Sequence, residues 1–282
     1  MRIPDEVKDL VVFIFVENPK GGSPTPRGTG FFVGVVKDET EGGGHCYMMT
    51  ARHVLFRSAD KKLFNEIYLR FNTLAGGSEV ARVVLRESGP GQNVFSHSDP
   101  SVDLVAIAVA PDSNKHSTKV LTSAYLTSKE DFAKLGIGQG SDVFFTGLFV
   151  PHLGDQKNYP IARFGRVALL SDEPIDWVDF KGESIMADLI LIEAQCYGGN
   201  SGSPVFYYLG SDRFPGGMVV GPPILKLAGV ISGSFNDVIE VKTVQTATVP
   251  VVASNNGIAA VVPAYKLSEL LFSPDLKKER GY

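Results

Sequence analysis

Residues 198–204 have the sequence Gly-Gly-Asn-Ser-Gly-Ser-Pro and hold Ser201 in a glycine-rich turn. The turn lies between two mostly apolar runs, Leu189–Ala194 and Val205–Tyr208. Glycine lets backbone N–H groups turn inward and lets a ligand approach the chain closely. We therefore expect the N–H groups of Gly199 and Ser201 to point the same way, so that they stabilise an oxyanion when the serine attacks a carbonyl. Taken alone, such a turn has a simpler interpretation as a tight β-hairpin.

Two blocks upstream of this turn carry the groups that a nucleophilic serine needs. Residues 50–54 are Thr-Ala-Arg-His-Val, with His53, and residues 103–107 are Asp-Leu-Val-Ala-Ile, beginning with Asp103. In acyl transfer an imidazole takes the hydroxyl proton and returns it to the leaving group, while a carboxylate fixes the tautomer of the imidazole. The hypothesis is that Ser201 is the nucleophile, His53 the general base and then acid, and Asp103 the orienting carboxylate.

Other residues of the same types have simpler interpretations. Asp99 competes for the carboxylate role, but Asp99-Pro100 is typical of a turn, whereas Asp103 immediately precedes an apolar run. Ser203 competes as the nucleophile, but it precedes Pro204 and lies outside the inward-facing turn. The remaining histidines lack a metal-ligand spacing with a cysteine or carboxylate partner, and no metal site is predicted. We expect these four to be solvated surface residues: His45, His97, His116 and His152.

The composition favours an ordinary soluble globular protein. The chain has 282 residues, of which 44% are hydrophobic and 21% charged. A net charge of −4 gives nucleic-acid binding no electrostatic support. The apolar run Leu10–Val16 is too short to span a bilayer, and Met1–Glu6 is too polar for a signal peptide. We expect a cytoplasmic protein without membrane contact, unless a leader has been lost, with Cys46 and Cys196 as reduced, mostly buried thiols.

Short runs rich in valine, isoleucine and phenylalanine dominate the chain. Twelve of them are predicted to be strands: Leu10–Val16, Gly30–Val36, Cys46–Thr50, Ile67–Phe71, Val80–Leu85, Leu104–Val109, Asp142–Phe149, Ala162–Leu169, Leu189–Glu193, Ser203–Tyr207, Lys226–Ser232 and Ile258–Pro263. Such a series predicts an all-β fold of barrels or sandwiches. A short helical turn is expected after His53 and a C-terminal helix over Ala264–Phe272. The charged tail Ser273–Tyr282 is expected to fray.

The strand-poor stretch around residues 111–140 suggests a division of the chain. We predict an N-terminal domain over residues 1–112 with His53 and Asp103, a linker over 113–138, and a C-terminal domain over 139–282 with Ser201. Three segments are predicted to be long loops: Glu39–Gly44, Gly210–Pro223 and Asn236–Gly257, the last with room for a hairpin of its own. The hypothesis is that one of the two later loops forms a lid over the site.

Four blocks in this order resemble the chymotrypsin-like (trypsin-like) serine proteases. Thr50–Val54 is similar to the Thr-Ala-x-His block of that family, Asp103–Ile107 to its Asp-Ile/Leu-Ala-Leu block, Gly199–Pro204 to its Gly-Asp-Ser-Gly-Gly-Pro block, and Gly229–Gly233 to its cleft-lining strand. The serine turn resembles that of glutamyl endopeptidases, and Gly257–Pro263 resembles the last barrel strand of HtrA proteases, both on the bacterial branch. The resemblance implies two packed antiparallel six-stranded β-barrels with a C-terminal helix, and an active site in the cleft between them.

Two departures from the family pattern limit what the resemblance implies. Asn200 stands where animal members carry aspartate, so activation by a freed N-terminus is not implied. Ile231 stands where glutamyl endopeptidases carry a histidine, so glutamate specificity is not implied either. The primary pocket is expected to prefer a small or medium apolar side chain. Its walls are expected from Gln195, Cys196, Tyr197, Gly198, Ile231, Ser232, Gly233, Ala259 and Ala260.

The predicted function is that of a serine endopeptidase, which hydrolyses peptide bonds through an acyl-enzyme intermediate without metal or organic cofactor. Its expected partners are protein or peptide substrates. The main alternative is a binding or signalling module in which the triad is silent or is engaged by a regulatory protein partner. An esterase is a further alternative, although esterases more often use a Gly-x-Ser-x-Gly elbow with serine before histidine.

Overall fold

Strands make up most of the regular structure, as the sequence predicts. The computed structural model describes residues 2–36, 44–214, 217–240 and 251–281, with side chains except at 236–240 and 251–254. The strands are β1 (Val11–Val16), β2 (Thr25–Val36), β3 (Gly44–Thr50), β4 (Glu66–Asn72), β5 (Ser78–Val84), β6 (Val94–Ser96), β7 (Val105–Ile107), β8 (Val120–Thr122), β9 (Asp142–Gly147), β10 (Ile161–Leu170), β11 (Ile175–Val178), β12 (Ser184–Ala187), β13 (Ile190–Glu193), β14 (Pro204–Leu209), β15 (Ile224–Glu240) and β16 (Val251–Pro263). All twelve predicted strands are present, and β6, β8, β11 and β12 are additional.

The N-terminal sheet differs in detail from a closed six-stranded barrel. It has eight strands in the order β5-β4-β1-β2-β3-β7-β6, with β8 paired to β2 in parallel. The strands at the two ends of this path, β5 and the three-residue β6, do not pair with each other. The apolar side chains of β1 and its neighbours still fill the interior of the curled sheet, among them Val12, Ile14, Phe32 and Leu69.

The C-terminal sheet is the closed six-stranded barrel that the resemblance implies. Its strands run β10-β13-β16-β15-β14-β9 and pair antiparallel throughout. Bulky apolar residues with no exposed surface fill it, including Phe145, Ile192 and Tyr207. The all-β, chymotrypsin-like architecture is thus confirmed, with one barrel closed and the other sheet open.

Strands β15 and β16 continue beyond the barrel as a two-stranded ribbon, paired as far as Glu240 and Val251. The segment Asn236–Gly257, predicted to be a loop, is therefore a hairpin in its described part, and residues 241–250 lie outside the described residues. Of Glu39–Gly44 only Gly44 is described, as the first residue of β3. Of Gly210–Pro223, residues 215–216 lie outside the described residues. A lid at the two later segments stays a prediction.

Three α-helices and three 3-10 helices complete the described part. The α-helices are α1 (Lys129–Leu135), α2 (Ala264–Leu271) and α3 (Pro274–Glu279), and the 3-10 helices are Asp5–Leu10, Arg52–Leu55 and Ser123–Tyr125. The predicted C-terminal helix corresponds to α2, and the helical turn expected at His53 is the second 3-10 helix. Both β8 and α1 lie within the stretch predicted to be a linker. In the part of the chain described here, no helix combines the length and apolarity needed to cross a bilayer.

The expectation that the C-terminal tail frays is wrong. Ser273 caps α3, because its hydroxyl accepts a hydrogen bond from the N–H of Leu276, and Pro274 occupies the first turn, where no backbone donor is needed. The side chain of Leu276 is fully buried. The hydroxyl of Tyr47 on β3 donates to the carboxylate of Glu279. The guanidinium carbon of Arg280 also lies 5.8 Å from the centre of the Tyr47 ring, so the tail is docked against the N-terminal sheet.

Candidate active site

Asp103 and His53 form a hydrogen-bonded pair, although 50 residues separate them in the chain. The 3-10 helix Arg52–Leu55 presents His53, and Asp103 lies two residues before β7, which pairs with the end of β3. The Nδ1 atom of His53 lies 2.7 Å from Oδ2 of Asp103. The backbone N–H of His53 donates to Oδ1 of the same carboxylate at 2.9 Å. The ring and the backbone N–H of His53 therefore each bind one oxygen of the Asp103 carboxylate.

Ser232 supplies a third hydrogen bond to this carboxylate. Its hydroxyl donates to Oδ2 of Asp103 at 2.6 Å. Burial of the Asp103 carboxyl would raise its pKa, but the charge of His53 and the hydrogen bonds from His53 and Ser232 outweigh it, and the pKa lies below the ordinary value. Asp103 is therefore an anion at neutral pH and favours a proton on Nδ1 of His53. That tautomer leaves the other ring nitrogen free to accept a proton.

Asn200 holds the serine turn through both ends of its amide. It is almost completely buried. Its Nδ2 donates to the carbonyl of Leu148 at 2.9 Å, and its Oδ1 accepts from the N–H of Tyr197 at 3.0 Å. An amide fits here because the position needs one donor and one acceptor, which a carboxylate does not supply.

The serine turn is also fastened to the N-terminal sheet. The N–H of Thr29 on β2 donates to the carbonyl of Ser201 at 2.9 Å, and its hydroxyl donates to the carbonyl of Gly199 at 2.9 Å. Gly202 has φ +85°, and a Cβ there would lie 2.1 Å from the carbonyl oxygen of Thr29. Only glycine allows this approach of the turn to β2.

Two backbone N–H groups of the turn are left without an acceptor. Within the described part of the chain, neither the N–H of Gly199 nor that of Ser201 donates a hydrogen bond. Gly199 adopts φ +96°, a conformation that favours glycine. Buried or partly buried amides are normally paired, so two unpaired ones in one turn mark a place for an external acceptor.

The hydroxyl of Ser201 is not hydrogen-bonded to the imidazole of His53 in the described structure. It donates to the carbonyl of Ser232 at 3.4 Å, a long hydrogen bond, and no hydrogen bond joins it to His53 among the residues described here. Rotation of the serine side chain about its Cα–Cβ bond moves the hydroxyl among three staggered positions without moving the backbone. The structure therefore brings His53 and Asp103 together but leaves the third contact unmade.

The residues predicted to line the primary pocket fall into two groups. Cys196, Ile231 and Ala259 are buried and pack in the core of the C-terminal barrel. Gln195 and Tyr197 are exposed, and the guanidinium carbon of Arg163 lies 4.8 Å from the centre of the Tyr197 ring. Ser232 and Ala260 are also buried, Gly198 is also exposed, and Gly233 is half-buried. Both cysteines are unpaired thiols: Cys196 is buried, which raises its pKa to about 12, and Cys46 is half-buried. Their role as reduced structural thiols stays a prediction.

Asp99 and Ser203, the alternatives for the carboxylate and for the nucleophile, form no hydrogen bond to His53 or Asp103 in the described structure. The carboxylate of Asp99 accepts from the N–H of Ser101 at 2.9 Å and from its hydroxyl at 2.7 Å, so it caps its own turn. The hydroxyl of Ser203 is buried and finds no hydrogen-bond partner among the described residues. It packs against Gly147, where a Cβ would lie 2.0 Å from the Ser203 oxygen. Neither residue faces the His53–Asp103 pair.

Two of the four histidines expected at the surface are buried, which corrects that prediction. His97 has both ring nitrogens bonded: Nδ1 accepts from the N–H of Asp99 at 3.1 Å, and Nε2 lies 3.2 Å from the carboxylate of Glu269. His116 stacks on Phe71 with ring centres 4.2 Å apart. Hydrogen bonding and stacking compensate for the loss of water. His152 is exposed and His45 is partly exposed.

Sequence reasoning missed the part played by Thr29 and by Trp177. The hydroxyl of Thr29 lies in the core between the two sheets, and no local pattern distinguishes it from other strand threonines. The acidic residues around Trp177, which are Asp172, Glu173, Asp176 and Asp179, favour a loop. Trp177 lies instead on β11, half-buried, and packs edge to face on Phe235 with ring centres 5.0 Å apart. The alternation of Ile175 and Trp177 with polar residues was the available signal for this strand.

Comparisons with known proteins agree with the fold. A family model described as a trypsin-like peptidase domain matches residues 28–211. The structure of the MamO protease domain from Magnetospirillum magneticum, in its apo form, has a TM-score of 0.51 at 18% identity and covers 95% of this chain and 99% of that one. The active form of the Rv3671c protease from M. tuberculosis has a TM-score of 0.51 at 18% identity and covers 94% of this chain and 80% of that one. No curated protein sequence gives a significant match.

Proposed function

The chain belongs to the trypsin-like peptidase domain family, and from this premise we propose that it is a serine endopeptidase. Ser201 is the nucleophile in this proposal, His53 the general base and then acid, and Asp103 the orienting carboxylate. The N–H groups of Gly199 and Ser201 form the oxyanion hole. The substrates are peptides or proteins.

One observation carries the proposal: a serine turn with two unpaired N–H groups accompanies a half-buried, ionised Asp103. Asp103 holds His53 by the ring nitrogen opposite the one needed for proton transfer. A structural histidine needs only a partner for its polar atoms. A general base needs in addition a fixed tautomer and a free nitrogen. Buried amides without acceptors have no structural use and are suited to a developing negative charge.

The reaction follows from these groups. After rotation of its side chain, Ser201 Oγ attacks the substrate carbonyl while Nε2 of His53 takes the hydroxyl proton. The carbonyl oxygen becomes an anion between the two amides. The C–N bond then breaks, the proton passes from His53 to the leaving amine, and an acyl-serine remains. Water repeats the sequence and releases the acid.

The orientation of the Ser201 hydroxyl favours a second candidate, a domain whose triad is engaged only when a partner or substrate docks. The contact to the Ser232 carbonyl has to break before Ser201 meets His53. A long hydrogen bond of this kind contributes about 1 kcal/mol or less, so substrate binding alone is sufficient to reverse it. We therefore take the endopeptidase as the function and the hydrogen bond from Ser201 to the Ser232 carbonyl as its resting arrangement.

Labelling with a fluorophosphonate tests the proposal. The reagent phosphonylates a base-activated serine, whose oxygen bonds to phosphorus as fluoride leaves, so wild-type protein is expected to react and Ser201→Ala to remain unlabelled. Ser203→Ala is the matched control: it removes a buried hydroxyl of the same turn that has no hydrogen-bond partner in the described residues and should label at the wild-type rate. An unlabelled but folded wild-type protein would favour the partner-engaged domain. Faster cleavage of peptides than of simple esters separates a peptidase from an esterase.

The proposal extends to the residue preferred at the primary pocket. A small or medium apolar residue stays the proposed preference from the sequence, although the side chains of Cys196, Ile231 and Ala259 pack in the core of the C-terminal barrel and do not themselves form the pocket wall. No acidic side chain stands among the predicted wall residues to bind arginine or lysine.

A further inference from the structure

Arg27 on β2 is the extra residue of a β-bulge. The register between β1 and β2 shifts where Ile14 pairs with Gly28 and Phe15 with Pro26, and Arg27 is left without a partner on β1. A bulge bends its strand and re-aims a side chain, and bulges are frequent beside functional sites. The side chain of Arg27 reaches the short 3-10 helix that presents the proposed general base.

The guanidinium of Arg27 binds the C-terminal end of that helix. Its Nη2 donates to the carbonyl of His53 at 3.2 Å and to that of Phe56 at 3.1 Å. The same nitrogen donates to the hydroxyl of Ser58 at 3.3 Å. Carbonyl groups at a helix end need donors from elsewhere, and a charged donor makes a stronger hydrogen bond than a neutral one. Arg27 therefore caps this helix from another element of the sheet.

His53 is thus held at both ends of its backbone. Its N–H donates to the carboxylate of Asp103, and its carbonyl accepts from Arg27. Among the described residues, the ring itself makes one hydrogen bond, which joins Nδ1 to Asp103. Because a single contact does not fix a ring, the direction of Nε2 also depends on the position of the backbone that carries it.

Residues 27–29 connect this anchor to the serine turn. Thr29 binds the turn through the carbonyl of Ser201. Between the two anchors, Gly28 packs so closely on the 3-10 helix that a Cβ there would lie 2.8 Å from the methyl groups of Val54. A strand rises about 3.3 Å per residue, so the two anchors lie roughly 7 Å apart along one continuous segment. This segment therefore sets the distance between the carrier of the base and the carrier of the nucleophile.

Stability alone does not account for a guanidinium at this place. Arg27 is half-buried, and this burial lowers the pKa of its guanidinium below the ordinary value. Among the described residues no carboxylate forms an ion pair with it, and its buried Nε has no hydrogen-bond partner. A charge removed from water without a counter-ion destabilises the folded state, whereas an apolar side chain of similar length would fill the space at lower cost. The guanidinium is explained if the position of His53 depends on it.

We propose that Arg27 is a positioning residue of the active site: through the carbonyl groups of His53 and Phe56 it fixes the imidazole relative to the turn of Ser201. The inference rests on the proposed endopeptidase function and adds to it a residue that acts through the backbone of the general base. A misplacement of about 1 Å can lower a rate about 100-fold. Loss of the anchor is therefore expected to lower kcat and to leave KM nearly unchanged, because the guanidinium holds the base and not the substrate.

Arg27→Met tests the proposal, because it keeps most of the length of the side chain and removes its charge and its donors. The expected kcat for a peptide substrate is about 10- to 100-fold below wild type, with KM within about threefold. The free energy of unfolding in urea should stay close to wild type, since removal of the buried charge offsets the lost hydrogen bonds. A residue that served only stability would give the reverse result, an unchanged kcat in a less stable protein.

Two variants serve as controls. Arg27→Lys keeps the charge and offers three donors for the three acceptors, so its kcat should lie within about fivefold of wild type. Arg70 is also half-buried, and its guanidinium donates to the backbone carbonyl of Asp155 at 3.0 Å. Arg70→Met therefore removes a matched hydrogen bond that does not involve the helix of His53, and its kcat should lie within about twofold of wild type.

A second measurement does not need turnover. NMR of isotopically labelled Ser201→Ala reports how fast the Nδ1 proton of His53 exchanges with water, and this rate rises when the ring is held less firmly. Adding Arg27→Met should raise the exchange rate about tenfold or more, whereas Arg27→Lys or Arg70→Met should change it less than about threefold.

The two measurements separate the inference from the proposed function. With an active wild-type protein, an unchanged kcat or exchange rate in Arg27→Met, or a failure of this variant to fold, overturns the inference while the endopeptidase stands. The inference also fails if Arg27→Lys is as slow as Arg27→Met, or if Arg70→Met loses as much activity. A folded wild-type protein that neither labels nor cleaves, but whose His53 proton exchanges faster with Arg27→Met, overturns the endopeptidase and leaves Arg27 as the residue that positions His53.

Discussion

Replacing Asn200 by aspartate tests whether the serine turn depends on an amide at this position. Asn200 is 1% exposed, and its two hydrogen bonds run to the carbonyl of Leu148 and from the N–H of Tyr197. Asn200→Asp keeps the bond from Tyr197. It converts the other into a 2.9 Å contact between two acceptors, because a carboxylate has no hydrogen to donate.

The expected loss of stability is large and depends on pH. The Leu148 carbonyl loses its donor, which costs about 1–3 kcal/mol, and a buried charge without a cationic partner brings the total to about 3–5 kcal/mol. Protonation removes the charge and restores a donor, so the new carboxyl has a higher pKa in the folded state than the unfolded value of about 3.9. The folded state then holds the proton more tightly. The loss of stability relative to wild type is therefore small at pH 4 and grows as the pH rises above that value. It reaches its full size above the folded-state pKa of the new carboxyl.

Urea unfolding followed by circular dichroism, at pH 4 and at pH 8, measures this difference against wild type. Asn200→Ala is the control, because it loses both hydrogen bonds and carries no titratable group, so its loss relative to wild type should not depend on pH. The fluorophosphonate labelling rate of Asn200→Asp should fall together with its stability. An aspartate variant as stable as wild type at pH 8, or one with the same loss at both pH values, would refute the reasoning.

Three further predictions follow from the site. Ser201→Ala and His53→Ala should each lower turnover by about 10⁴ to 10⁶ without unfolding the protein, and a variant that keeps its kcat within tenfold of wild type would exclude that residue from the chemistry. Burial raises the pKa of Cys46 to about 11 and that of Cys196 to about 12, so iodoacetamide at pH 8 should modify both far more slowly in folded than in urea-unfolded protein, as mass spectrometry would show. Gly202→Ala places a Cβ 2.1 Å from a backbone oxygen of β2 and should destabilise by about 3–5 kcal/mol in the same urea assay, whereas retention of wild-type stability would contradict the close packing of the turn.

The features that the sequence predicts well are those with a local cause. Alternating and continuous apolar runs such as Leu10–Val16 predict strands because burial of one face requires that pattern. The glycines around Ser201 predict a tight turn because the conformation at Gly199 and Gly202 favours a residue without Cβ. Asp103 was chosen over Asp99 on its position before a strand, and the contact to His53 agrees with that choice.

The features that the sequence does not predict depend on contacts between distant segments. Burial of His97 requires Glu269, which lies 172 residues away, so no local pattern distinguishes it from a surface histidine. The charges of Ser273–Tyr282 predict a frayed tail. The tail is docked instead by the buried side chain of Leu276 and by the hydrogen bond from Tyr47 to Glu279. The orientation of the Ser201 hydroxyl is a matter of one side-chain torsion, and sequence carries no information about it. The acidic residues around Trp177 favour a loop, although Trp177 lies on the short strand β11.

The fastening of the serine turn to Thr29 has a consequence for the newly made chain. The bond from the Thr29 hydroxyl to the carbonyl of Gly199 spans 170 residues, and contacts of such separation form late in folding. A polypeptide emerging from the ribosome, or one whose halves have not yet docked, lacks the arrangement of N–H donors for an anionic intermediate even if every reactive side chain has been synthesised. In refolding experiments, fluorophosphonate labelling of Ser201 should thus appear only with the phase in which the two halves dock.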